Sequence, residues 1–147
     1  MLKAFAPINA LTLCLALLGE STCRGDEIAH IENASLSVSV SLQGAELQSL
    51  RSKVTGSEYL WQGDPEFWDR RALVMFPVNV AFRDWKFTHQ GKIYEMPFLG
   101  LVESGSFKKV VGSGKDRVVL EFQNSVETLD HYPFPFRFRI RYSLKGS

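Results

Sequence analysis

The segment from Ser35 to Leu42 reads Ser-Leu-Ser-Val-Ser-Val-Ser-Leu, an unbroken alternation of polar and apolar residues. A period of two puts successive side chains on opposite faces, so this segment predicts a strand with one wet and one buried face. Gln43-Gly44 turns the chain into a second short strand, Ala45 to Leu50, and the polar stretch Arg51 to Ser57 closes that hairpin with Gly56 as its breaker. Apolar strands are expected again at Tyr59-Leu60-Trp61 and, beyond a turn at Asp64-Pro65, at Ala72 to Phe76, a run continuous enough to predict burial on both faces. Trp85 to Thr88 and Lys92 to Met96 flank His89-Gln90-Gly91, a hairpin whose tight turn takes its positive φ from Gly91. Phe107 to Val111 and Arg117 to Phe122 form another across the loop Gly112 to Asp116. From Phe134 to Leu144 every second residue is apolar, with Arg137, Arg139 and Arg141 on the opposite face.

Short strands joined by glycine-containing turns, with no helical period between them, predict an all-β domain of antiparallel sheets packed as a sandwich or closed as a barrel. The start of the chain is different. Met1-Leu2-Lys3 precedes an apolar run from Ala4 to Leu18 and a small polar stretch from Gly19, the order of a secretory signal too short to span a bilayer. Residues 1–24 are therefore expected to be a leader and 25–147 the domain. The protein would then be secreted or periplasmic; a start codon placed too far upstream would instead leave it cytoplasmic.

Composition narrows the chemistry. Apolar residues make up 45% of the 147 and charged residues 22%, the balance of a soluble globular protein. A net charge of +1 gives no long-range field for nucleic acid or an anionic membrane, so neither is expected as a partner once the leader is removed. Both cysteines, Cys14 and Cys23, fall in or beside the leader, leaving the domain without a disulfide or a thiolate metal site. His30, His89 and His131 lack any spacing that would set two of them on one helix face, and no metal site is expected.

From Ile31 to Leu144 the order of signals resembles the N-terminal half of the aldose 1-epimerase (galactose mutarotase-like) family, most of all a bacterial branch that includes an accessory protein of the lactose operon. The residues that carry the resemblance are Gly44 to Leu50, Glu58 to Pro65, Trp68 with Arg70 and Arg71, Phe76-Pro77, Gly91-Lys92 with Tyr94 and Pro97, Gly100, and Glu127-Thr128 followed by Tyr132-Pro133-Phe134. The resemblance implies a β-supersandwich, a free aldose as partner and no cofactor. It also implies a reaction that opens the pyranose ring: a carboxylate takes the proton of the anomeric hydroxyl and a histidine protonates the ring oxygen, so that reclosure gives the other anomer. The family orients its sugar with an arginine shortly after Phe-Pro and a histidine before a Gly-Phe pair. Laid on this chain, those positions fall at Ala81 and Leu99, where the polar groups are lost. The family's catalytic acid and base fall beyond Ser147, so no catalytic residue is assigned.

A sugar hydroxyl against Leu99 would be desolvated without a partner, at a cost of about 1 to 3 kcal/mol. The polar residues left near the site are Asn79 and Arg83, which flank position 81 and either meet a sugar hydroxyl or, the preferred reading, are simply exposed strand residues, and Arg71, which like Arg70 either contacts substrate or, as preferred, braces the sheet. The apolar run Met96 to Leu101 is expected to be mainly core. His89, at a hairpin tip, and His131, with no evident partner, are not expected to move protons, and the arginine stripe is read as a solvated strand face. Three functions remain: an aldose 1-epimerase-like protein inactive by itself, a non-catalytic carbohydrate-binding or regulatory protein, and a truncated fragment. As part of a larger sandwich, the strand Phe134 to Leu144 is expected to expose an unpaired edge or an uncovered apolar face through which copies self-associate, whereas a stable monomer would favour a small sugar-binding protein.

Overall fold

A computed structural model describes residues 27–146, so the expected leader lies outside the described residues. The described chain is built of antiparallel strands with one short α-helix and a single 3-10 turn at Arg83–Trp85. A first sheet runs in the order β1 (Ile28–Glu32), β2 (Leu36–Ser41) and β3 (Leu47–Ser52). β4 (Lys86–His89) and β5 (Lys92–Glu95) form a separate hairpin. β6 (Lys108–Lys109), β7 (Arg117–Gln123) and β8 (Arg137–Ser143) form the third sheet.

The alternation in β2 sets the core. Val38 and Val40 point inward and are 4% and 0% exposed, and they meet Ala29 and Ile31 of β1 and Val118 and Leu120 of β7 in one cluster. Burying a valine of this kind contributes about 1.5 to 3 kcal/mol. On β8 the same period turns Phe138, Ile140 and Tyr142 toward that cluster and leaves Arg137, Arg139 and Arg141 exposed, as the sequence predicts. The hairpin turn is also as expected: Gln90 and Gly91 have φ of 50° and 78°, the pair of left-handed residues that a two-residue loop requires.

Five expectations need correction. The second strand begins at Leu47 and not at Ala45, because Gly44 and Ala45 turn through positive φ while the Gly44 N–H donates to the Gly105 carbonyl at 2.8 Å. Tyr59 to Trp61 make no strand. Only Glu58 bridges to Arg51, and the Glu58 carboxylate accepts the N–H of Leu60, a donor that a strand ladder would have used. Ala72 to Phe76 is neither a strand nor fully buried, since Met75 is 41% exposed. Its ends bridge to different elements, Ala72 antiparallel to Leu47 and Phe76 parallel to Gly100, so the run bends between them.

The fourth correction is the helix α1 (Val126–His131), which is shorter than two turns and leaves no period to read. Its start is a reciprocal capping arrangement between Ser125 and Thr128, each side chain accepting the other's backbone N–H. The strand expected from Phe134 starts only at Arg137. Before it, Phe136 packs against Phe76 and Phe122 with ring centroids 5.3 and 5.6 Å apart.

Candidate functional site

Two irregular segments, residues 76–85 and 96–101, are tied together by backbone hydrogen bonds. The Leu101 N–H donates to the Phe76 carbonyl at 2.7 Å, Leu99 to Val80 at 2.8 Å, and Met96 to Trp85 at 2.8 Å. Gly100 makes the crossing possible. Its φ is 81°, and a Cβ there would lie 2.2 Å from the Phe76 carbonyl oxygen, a distance no side chain can occupy. The crossing sets Ala81 and Leu99, 18 positions apart in sequence, on neighbouring backbones.

The side chains at this crossing are apolar. Leu99 is 9% exposed and held at φ 63°, and Met96 and Leu101 are buried beside it, so this part of the run from 96 to 101 is core as expected. Phe98 is not core: it is 50% exposed, and its ring stands edge-to-face with that of Trp85, itself 51% exposed, at a centroid distance of 5.9 Å. Behind this pair Phe82, Phe87 and Tyr94 form a row with centroid separations of 5.3 and 5.4 Å. Asn79 and Arg83 are exposed on the same segment, and neither side chain forms a hydrogen bond or ion pair among the described residues. Trp85 and Phe98 were passed over in the sequence because nothing local distinguishes them from strand and core aromatics. Their positions beside 81 and 99 on the family's pattern were the available signal.

Arg71 is committed elsewhere. Its Nη1 donates to the Gln48 side chain on β3 at 2.8 Å, and its backbone N–H and that of Ala72 donate to the Glu46 carboxylate at 2.7 and 3.1 Å. Its Nε is buried without a partner among the described residues. Arg70 pairs with Glu103 at 3.0 Å across a polar cleft of about 240 Å³ that Glu46 and Gln48 also line. These contacts fasten the excursion from Trp61 to Phe76 onto the first sheet, and they use the groups that a ligand in the cleft would need.

The histidines are spread over the molecule. His30 is exposed on β1, and the His89 ring lies against Phe134 at 4.8 Å. His131 does have a partner: its Nδ1 lies 2.7 Å from the Glu95 carbonyl, so that nitrogen carries the proton and donates it. Among the described residues no three His, Cys, Asp or Glu side chains converge on a point that could hold a metal ion. No helix there is long and apolar enough to cross a membrane.

Comparison with known proteins places this geometry. Residues 27–147 match the family described as aldose 1-epimerase. Protein LacX, in its plasmid form from Lactococcus lactis subsp. lactis, is 32% identical over 124 residues, covering 80% of this chain and 40% of that protein. The solved structure of a galactose mutarotase related enzyme from Lactobacillus acidophilus superimposes with a TM-score of 0.77 at 34% identity, over 81% of this chain and 39% of that one. A galactose mutarotase-like protein from Lactobacillus casei ATCC 334 gives a TM-score of 0.77 at 29% identity, over 81% and 40%. The antiparallel architecture is the galactose mutarotase-like fold, and the chain spans about 40% of the length of the curated relatives it matches.

Proposed function

We propose, from the premise that this chain belongs to the aldose 1-epimerase family, that it supplies a binding surface for a free aldose and does not by itself interconvert its anomers. The observation that carries this reading is the 2.8 Å bond from the Leu99 N–H to the Val80 carbonyl. It brings Leu99 against the backbone next to Ala81, the two positions where the family resemblance puts sugar-orienting residues and where this chain has an isobutyl and a methyl group. Neither can hold a hydroxyl, so the grip that would orient a sugar for proton transfer is missing at these two positions. Asn79 and Arg83 are the polar groups left to meet hydroxyls at that edge.

Polarimetry of freshly dissolved glucose and galactose tests the catalytic half of the proposal. The rate with this chain should equal that of buffer, and an acceleration of about a hundredfold, the scale one placed acid or base gives, overturns it. Equilibrium binding of the same sugars tests the other half.

Two further elements belong to the same reading. β8 lies at the edge of its sheet, with β7 on one side only among the described residues, and we propose that it pairs with a second copy. Light scattering that finds a monomer at micromolar concentration overturns that. We also propose that residues 1–24 direct export. A mature N-terminus between Gly19 and Asp26 supports this, and an intact Met1 on cytoplasmic protein rejects it.

A further inference from the structure

We propose that Trp85 and Phe98 form a stacking platform for the apolar face of a pyranose, holding the sugar by ring contact beside the positions where its polar hooks have been lost. The proposal rests on the sugar-binding reading above. It goes beyond that reading in naming how the site grips its ligand and which residues decide it.

The first support is conformational. Asp84 and Trp85 have φ of 54° and 60°, two consecutive non-glycine residues in the left-handed region. For a bulky residue this is an outlier that persists only where the surroundings fix it. Here they do. The Trp85 N–H donates to the Phe82 carbonyl at 3.1 Å, and the Trp85 carbonyl accepts from Met96 at 2.8 Å. The indole held in this way is half-exposed beside Phe98.

The second support is shape and chemistry. With an interplanar angle of 77°, the two rings make a corner in which the edge of one braces the face of the other. An aromatic face is electron-rich, and the axial C–H groups of a pyranose are the electron-poor part of its surface. Val80, Asn79 and Arg83 are also exposed on the segment that leads into Trp85, so apolar and polar side chains both reach solvent there. An apolar floor with a few polar groups at the edge is the usual composition of a small-ligand site. A pyranose has the matching amphipathic surface: a C–H face, with hydroxyls around its perimeter.

The test is titration of D-galactose and D-glucose into the purified chain by ligand-observed NMR, with thermal melts of every variant to establish that it folds. Trp85→Ala and Phe98→Ala should each weaken binding about tenfold, while Trp85→Phe, which keeps a ring, should retain most of it. Trp68→Phe, at a separate exposed turn, should change nothing. If both sugars bind and the alanine variants bind as well as wild type, the platform is overturned and the sugar-binding reading stands. If neither sugar binds wild type, that reading fails and the platform falls with it. If wild type is a dimer that Trp85→Ala converts to a monomer, the corner is a protein contact, which also overturns the proposal.

Discussion

The Tyr142 hydroxyl donates to the carbonyl of Ala45 at 2.9 Å, joining β8 to the turn between β2 and β3 across 97 residues of sequence. Burial, with the nearby Glu46 carboxylate adding to it, pushes the Tyr142 phenol up to about 12. A folded value above the unfolded one of about 10 means that the phenol stabilises the fold fully below pH about 10 and loses that contribution as pH rises through about 12. Urea titrations of wild type should therefore show falling stability across that window. Tyr142→Phe should flatten the fall and cost about 1 kcal/mol at neutral pH.

Glu58 behaves in the opposite sense. Burial acts against its charge, but hydrogen bonds from the Ser49 hydroxyl and from backbone N–H groups, Leu50 at 2.8 Å and Leu60 at 3.0 Å, outweigh it and hold the carboxyl below its usual range. A depressed folded value stabilises above the unfolded pKa of about 4.3 and is lost as pH falls through the folded one. Glu58→Gln should cost about 1 kcal/mol at pH 7 and make the acid limb of the stability profile shallower. Denaturant midpoints measured from pH 7 down to pH 3 check both.

Gly100→Ala should be among the most destabilising small changes in the chain. The new methyl would meet the Phe76 carbonyl oxygen at 2.2 Å on a backbone held at φ 81°. A loss of about 3 kcal/mol is expected. Amide exchange at Leu99 and Leu101 should speed up with it, because both donate across the crossing that the methyl pushes apart. A melt indistinguishable from wild type would show that the crossing is looser than the structure has it.

Glu46 anchors the excursion that carries Arg70 and Arg71. Its carboxylate accepts from the Arg71 and Ala72 N–H groups and, at 3.0 Å, from the Gln48 side chain. Glu46→Ala strands those donors and should cost about 2 kcal/mol, whereas Glu46→Gln keeps an acceptor oxygen and should cost less. Equal losses in the two variants, measured by urea denaturation, would mean that the carboxylate acts through its charge and not through these bonds.

Much of the sheet structure was legible because it is local. A strict period of two fixes which side of β2 faces the core, and the same period on β8 separates Phe138, Ile140 and Tyr142 from the three arginines without any knowledge of the partner strand. Gly91 announced its turn for the same reason. The helix α1 was missed because its only local mark is the Ser125 and Thr128 pair, and a single turn and a half has no period to detect.

The candidate site was half legible. The resemblance pointed to positions 81 and 99, which carry Ala and Leu, but it gave no reason to notice Trp85 or Phe98. It also left Arg71 with two roles, and the structure commits its hydrogen bonds to Glu46 and Gln48 on the first sheet. These are matters of which distant residue lies opposite, and no window along the chain contains both partners.

What the sequence by itself determined, then, is the class of the fold and the inward face of its strands, because each depends on residue type and short-range period. Only the tertiary structure decided that Ala72 to Phe76 bends between β3 and the 96–101 segment, that Leu99 bonds to Val80, and that Trp85 stands out beside Phe98 in a left-handed backbone. The physical reason is one close approach. Gly100 lets the 96–101 segment pass against the Phe76 carbonyl, and every backbone bond of the site follows from a contact between residues 24 positions apart.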